Sequence, residues 1–595
     1  MFAPLFVPVF LLLGRLSSCK VFTDPAQLQN SQYDFVVIGG GTAGNVVASR
    51  LSENASVSVL IIEAGSNDEG IEELQIPFTA SGVLTNVSLI WNYTTVPQNA
   101  LGRRSLPYTR GRVLGGSSSI NLLFFTRGSR DDFDRFANVT GDEGWSWSKM
   151  FPFMLKAETF TPPVDHRNIT GEFNASVHGT NGPLLTTLSA SPGDFDAPNL
   201  ETTQVDPGQF PFNLDSNSGD TIGLSWIQST SGNGIRSSSA TAYLHPALGR
   251  QNLDLLLNTQ VTRILPTNHQ SSSVPDLRVV EFARNSSCER FTVRASNEVI
   301  LSAGPVNTPQ LLLLSGIGNP QHLKSMEIPI LVNLPGVGQN LQDHPLMASQ
   351  WHANPNDTLD DITRNATLAA DLLDQWETTR TGIFAGVGAG QFIWSRLAAN
   401  SSIFGEVGDP SAGPTSAHFE IVPGNLFVSY TDPTPANGTF ASAALGVSSP
   451  LSRGSITLKS SDPFDSPNID PAFFESPVDV SVMVQALRTA EAFYSSKPFE
   501  GIVFQSLLNG TTDEELAAYA RAHVTSFWHT CCTASMGREG DDKTVVGPDL
   551  RLVGARGLRV VDASVFPFIP AAHLQAPVDA IAERAARIIQ GDWSI

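Results

Sequence analysis

Apolar residues cluster in a short run, Asp34-Phe35-Val36-Val37-Ile38, nearly all apolar, and then recur at helical spacing over 42–52. The run predicts a strand buried on both faces, and the spacing predicts a helix packed against it. A second apolar run at 57–62 predicts another strand, so the unit reads strand, turn, helix, strand. Further strands are expected at 253–257, 261–265, 298–301 and 455–458. Helical patterns cover 308–315, with four consecutive leucines, and then 368–378, 480–495 and 577–590. The last opens at Pro577 and should stop before Gly591, since proline suits a helix start and glycine its end. Residues 160–240 hold few sustained apolar runs and read as surface loops and short strands.

The turn after the first strand is Gly39-Gly40-Gly41-Thr42-Ala43-Gly44, a G-x-G-x-x-G pattern. Gly39 would permit the tight turn, Gly41 the close approach of a pyrophosphate, and Gly44 the packing of helix on strand. The free N–H groups around Thr42 and Ala43 would face phosphate oxygens. Glu63 stands nineteen residues beyond Gly44, at the end of the second strand. An acid there accepts hydrogen bonds from a ribose hydroxyl and repels a 2′-phosphate. The unit therefore predicts a site for the ADP half of a dinucleotide.

At 595 residues the chain is too long for one simple core, and two domains are expected. The formal charge of −21 argues against nucleic acid and against an anionic membrane surface as partners. The run at 2–13 is too short to span a bilayer, and Ser17-Ser18-Cys19 follows it. Residues 1–19 are therefore read as a secretory signal peptide and the protein as secreted. Twelve N-x-S/T sequons agree: Asn54, Asn86, Asn92, Asn138, Asn168, Asn174, Asn285, Asn356, Asn365, Asn400, Asn437 and Asn509. The four cysteines, Cys19, Cys288, Cys531 and Cys532, form no disulfide framework, and no Cys/His spacing suggests a metal. Adjacent cysteines bridge only with backbone strain, so Cys531-Cys532 is read as two small buried residues.

Three glycine-rich stretches share one pattern with the chain's end. They are Gly111-Arg112-Val113-Leu114-Gly115-Gly116-Ser117-Ser118-Ser119-Ile120-Asn121, then 303–318, then Pro335-Gly336-Val337-Gly338-Gln339-Asn340-Leu341-Gln342-Asp343-His344-Pro345. With Val560-Val561-Asp562-Ala563-Ser564 and two late histidines, they resemble the glucose-methanol-choline (GMC) family of FAD oxidoreductases. Within it, 43–48, 91–95, 140–145 and Ser416-Ala417-His418 are similar to fungal aryl-alcohol oxidases. The resemblance implies an α/β chain of two domains: a Rossmann-like FAD-binding domain, and a substrate domain built on an antiparallel sheet flanked by helices. The FAD domain would comprise 32–120, 235–345 and 520–595, and the substrate domain 121–234 and 346–519.

By the same resemblance Arg112, Gly115, Gly116, Ser117, Asn121, Val261, Asp562, Ala563 and Gln575 lie along the FAD. The start of the last helix would stabilise negative charge on the reduced flavin. His529 is assigned as general base and His573 as the group holding the alcohol oxygen, because imidazole accepts a proton reversibly near neutrality. Hydride would pass to flavin N5, and dioxygen would be reduced to hydrogen peroxide. His344 is read as structural. Leu122, Phe427, Tyr430 and Trp528 would shape an apolar pocket; Leu122 and Trp528 depart from the residues usual in that branch. The expected substrate is a primary alcohol next to an aromatic ring or conjugated system. The alternatives are a dehydrogenase of the same fold using quinones, an oxidase dedicated to one specialised metabolite, and a lyase keeping FAD as a structural element.

Overall fold

The computed structural model describes residues 20–595 apart from 191–192, 268–273, 355–357 and 399. The expected signal peptide, Cys19 and Asn356 lie outside the described residues. Two sheets organise the chain. The first runs Lys20–Phe22, Leu253–Leu256, Val59–Ile62, Gln32–Ile38, Phe291–Leu301, Val279–Ala283 and Gln260–Leu265, with Leu558–Val560 added beside Phe291–Leu301. Its Lys20-to-Phe291 portion is parallel, and the last two strands turn back antiparallel. Phe291–Leu301 serves both parts. Its first half pairs antiparallel with Val279–Ala283 and its second half parallel with Leu558–Val560. Phe35, Val36, Val37, Val59, Leu60 and Ile61 are fully buried, as unbroken apolar runs in a covered parallel sheet should be.

The helix Thr42–Leu51 follows the first strand, one residue shorter than its pattern suggests. Gly39 has φ +101°, and a side chain at Gly44 would place its Cβ 2.0 Å from the Gly39 carbonyl oxygen. The C-terminal helix Gln575–Trp593 packs across this helix. It does not stop before Gly591, as expected, but carries that glycine inside its last turn. Trp593 then reaches Phe35, ring to ring at 6.4 Å, and Ser594 takes the left-handed capping conformation. Packing of this half-buried tryptophan against the core overrides the local preference of glycine for a helix end. The leucine-rich helix spans Gly304–Leu314, starting earlier than expected because Asp562 accepts from the Gly304 N–H at 2.9 Å.

The second sheet is antiparallel throughout. It runs Val503–Ser506, Pro345–Ala353, Phe440–Val447, Phe419–Gly424, Gln391–Ser395 and Gly223–Trp226, with Thr525–Ser526 beside Pro345–Ala353. Its strands largely alternate between two faces. Phe419, Ile421, Ala441, Ala443 and Leu445 pack with Met483, Leu487 and Phe493 of the helix Pro477–Tyr494. Val422, Ser442 and Ala444 face the other way, into a cavity. The sheets draw on segments that interleave along the chain, and two details depart from the expected boundaries. Lys20–Phe22 extends the first sheet upstream of residue 32, and Thr525–Ser526 leaves the C-terminal segment to join the second sheet. At a small separate sheet that includes Glu158–Phe160, Arg127 and Glu158 form a fully buried ion pair, and His178 bonds both Glu158 and Asp215 at 2.8 Å.

Replacing Gly44 by alanine drives a methyl group into the Gly39 carbonyl. We expect a loss of about 1–3 kcal/mol in stability, read by chemical denaturation, together with reduced retention of FAD after gel filtration.

Candidate active site

A cavity of about 810 Å³ lies between the two sheets. One wall is the glycine turn: Gly39, Gly41, Thr42 and Ala43 line it, with Glu63 beside them. The Thr42–Leu51 helix has no side-chain cap, so its first N–H groups are free to meet an anion there. A Cβ on Gly41 would meet only Gly116 Cα, at 3.9 Å, so this part of the cradle is open. Glu63 accepts from the Gly40 and Gly65 N–H groups at 2.8 and 2.6 Å. These bonds fix the carboxylate and leave further lone pairs for a ribose hydroxyl. Burial pushes its carboxyl above the ordinary carboxylate range.

A second wall comes from Gly116, Ser117, Asn121, Leu122, Val261, Asp562, Ala563 and Gln575. Gly115 lies behind this wall, where its N–H donates to the Gly40 carbonyl at 2.7 Å and joins the two glycine turns. Gly44 likewise packs away from the cavity. Arg112 does not line it: its guanidinium sits 4.5 Å over the Trp91 ring, on a separate cleft. Asp562 spends its carboxylate on Gly304, Thr308 and Ser564, so it shapes the wall through its backbone. Asn121 donates to Gln575 Oε1 at 2.6 Å, and Gln575 Nε2 is buried without a partner. An unpaired amide donor, two abutting glycine turns and two uncapped helix starts at Thr42 and Gln575 together suit a large anionic dinucleotide such as FAD.

The far wall carries the two late histidines. Their ring centroids are 4.8 Å apart and their planes nearly perpendicular, at 84°. His529 sits in a loop whose preceding residue, Trp528, has φ +59°. Four bonds hold that loop. Asp343 Oδ1 accepts from the His529 N–H at 2.8 Å, and Asp343 Oδ2 accepts from Ser526 Oγ. The Phe527 N–H donates to the His344 carbonyl at 3.0 Å, and Arg110 donates to the Trp528 carbonyl at 2.6 Å. His573 is held by its N–H to Thr126 Oγ1 at 2.7 Å and by its Nε2 to Glu420 Oε1 at 2.9 Å. Phe527 stacks on His529 at 4.6 Å, and Phe124 meets the His573 ring at 5.1 Å. Phe427, Tyr430 and Trp528 complete the aromatic side.

The sequence reading missed Glu420, Asp343 and Arg110, and it took His344 as structural. His344 Nδ1 in fact lies 2.9 Å from His529 Nδ1. One charged residue in an otherwise apolar strand, Glu420 in Phe419–Gly424, was the available sign. Burial and the charge of His573 lower His344 to about 3. Burial, then His573, His344 and Arg110, push His529 well below the ordinary imidazole value. Burial raises Asp343 to about 6.

The GMC oxidoreductase family model matches this chain in two parts, its N-terminal part over residues 33–346 and its C-terminal part over 450–582. The dehydrogenase eriK of Hericium erinaceus is 38% identical, over 98% of each chain. Pyranose dehydrogenase 3 of Leucoagaricus meleagris is 39% identical over 94% of this chain and 93% of that protein. Among solved structures, a fungal aryl-alcohol oxidase superposes with a TM-score of 0.80 at 29% identity, over 95% of this chain and 100% of that one. The chain belongs to the GMC oxidoreductase family, with FAD as its cofactor.

Proposed function

We propose that this enzyme oxidises a primary alcohol next to an aromatic or conjugated system to the aldehyde, that dioxygen takes the electrons, and that it works outside the cell as a glycoprotein. The observation that carries the substrate reading is the juxtaposition of two imidazoles 4.8 Å apart with an aromatic wall of Phe124, Phe427, Phe527, Trp528 and Tyr430. Such a wall suits a flat π-system, and a sugar would need more hydrogen-bonding side chains around it. Every described sequon asparagine is exposed or half-buried, which supports glycan attachment.

Bound FAD supplies the two-electron acceptor for the hydrogen leaving the carbinol carbon. The protein's task is the other hydrogen, the hydroxyl proton. His529 stays neutral because its environment opposes charge, so it has a lone pair to offer. Its Nδ1 is turned to His344 Nδ1, and we place the His344 proton on its other nitrogen, Nε2. His344 Nδ1 then accepts, His529 Nδ1 donates, and His529 Nε2 is left free toward the cavity as the base. His573 receives a counter-charge from Glu420 at Nε2 and keeps Nδ1 for the substrate oxygen. The aromatic rings exclude water, which strengthens both contacts.

A second reading of acceptor and donor, a quinone and a sugar, is favoured by one observation: relatives of 37–39% identity are named pyranose dehydrogenases. Anaerobic bleaching of the flavin separates the donors. We expect 4-methoxybenzyl alcohol to bleach it and glucose not to; the reverse result overturns the substrate reading. Peroxide release in air, against turnover only with benzoquinone, decides the acceptor. A mass loss on treatment with an N-glycosidase tests secretion.

Replacing His529 by alanine should lower kcat by about 10²–10⁴-fold with the flavin retained. Replacing His344 by alanine, which removes the ring that fixes the tautomer, should cost about 10–100-fold. Activity should also fall as pH drops through about 6, where Asp343 takes up a proton and its grip on the His529 N–H weakens. The carboxyl is raised above its unfolded value, so the folded chain binds this proton more readily than the unfolded one. Acidification therefore stabilises the fold at this group while activity falls, and Asp343→Asn should remove the acid limb from the pH profile.

A further inference from the structure

Cys531 and Cys532 lie two and three residues beyond His529, and both are fully buried. Their sulfurs stand 2.9 Å apart. Carbon atoms, which are smaller, already touch at about 3.5–4.0 Å. A disulfide bond is about 2.05 Å long. The pair is thus inside non-bonded contact and short of a bond. The backbone of both residues is pinned by the surrounding chain. Cys531 exchanges bonds with Gln342, its N–H donating at 3.0 Å and its carbonyl accepting at 3.2 Å, and the Cys532 N–H donates to the Ala563 carbonyl at 3.1 Å. Cys532 itself is held at φ +73°, a left-handed conformation that a non-glycine residue keeps only when its surroundings impose it. Cys288 is half-buried and free, in a separate turn after Val279–Ala283.

We propose that Cys531 and Cys532 are a covalent modification site, joined as a vicinal disulfide that clamps the loop between the His529 base and the Ala563 wall of the cavity. This inference does not rest on the substrate reading. The oxidant is a small-molecule disulfide of the glutathione class. One cysteine thiolate attacks it, releasing one thiol and leaving a mixed disulfide. The other cysteine attacks the protein-bound sulfur and releases the second thiol. Two S–H bonds are lost from the protein, one S–S bond forms, and the oxidant's S–S bond becomes two thiols. Burial holds the Cys531 thiol well above the ordinary range, so it is a poor nucleophile once the loop is packed. The exchange therefore precedes burial, and burial afterwards shields the product. Adjacent Cα atoms are about 3.8 Å apart, below the usual disulfide span of about 4.4–6.8 Å, which makes the bond more reducible than an ordinary structural one.

The test is a peptide map of the full-length protein purified from a secreting host. The protein is denatured in iodoacetamide without reductant and digested with trypsin. The fragment 522–538 carries both cysteines. It should appear unalkylated and lighter than the dithiol form by two hydrogen atoms, and it should take two alkyl groups only after reduction. Two alkyl groups on the unreduced fragment, or a fragment linked to the one bearing Cys288, would overturn the proposal. A Cys288→Ser chain gives an independent reading. In that chain, under denaturing, non-reducing conditions, the bridged form shows no titratable thiol from Cys531 and Cys532, and the unbridged form shows both.

Discussion

Two helix starts without side-chain caps open into the same cavity, and most of the fold serves to hold them there. Thr42–Leu51 and Gln575–Trp593 cross each other, although some 530 residues separate them in sequence. Glu583, fully buried on the second helix, accepts from Arg50 on the first at 2.6 Å, and also meets Lys156 and Tyr243. A buried carboxylate with this many donors is stable only while both helices stay in place. Each uncapped start leaves N–H groups that need an anion or water. A dinucleotide whose central diphosphate lies at one start and whose electron-accepting ring lies at the other suits both.

The reacting side is assembled differently, by carboxylates that position imidazoles. Asp343 grips the backbone of His529, and Glu420 grips the ring of His573. His344 stands between the two arrangements, touching His529 through its ring and Phe527 through its carbonyl. Glu420 arrives on a strand of the antiparallel sheet, and Asp343 and His344 on the turn leading into another. The placing of the two imidazoles thus depends on that sheet.

Local pattern made much of this legible. The apolar runs at 34–38 and 57–62, the glycine spacing and Glu63 describe a unit whose contacts are close in sequence, and the structure places them as expected. The motifs also brought His529 and His573 to one cavity. What the sequence hid were contacts made across the fold. Glu420 looks like one polar residue in a strand, and its role exists only because His573 folds back onto it from 153 residues away. The contact of His344 with His529 was hidden for the same reason, since only the approach of the 527–531 loop brings the two rings together. The end of the last helix was misread because the packing of Trp593 against Phe35 outweighs a local glycine preference. Arg112, inside a recognisable motif, turns its side chain to Trp91, a choice no spacing records.

The segment 525–532 bonds to both halves of the molecule: Thr525 and Ser526 to the antiparallel sheet, Cys531 to Gln342, and Cys532 to Ala563. It works as a seam, so the halves cannot swing apart like jaws without tearing it. Phe427, Ser429, Tyr430 and Thr434 line the cavity from the connection between Phe419–Gly424 and Phe440–Val447, which lies outside this seam.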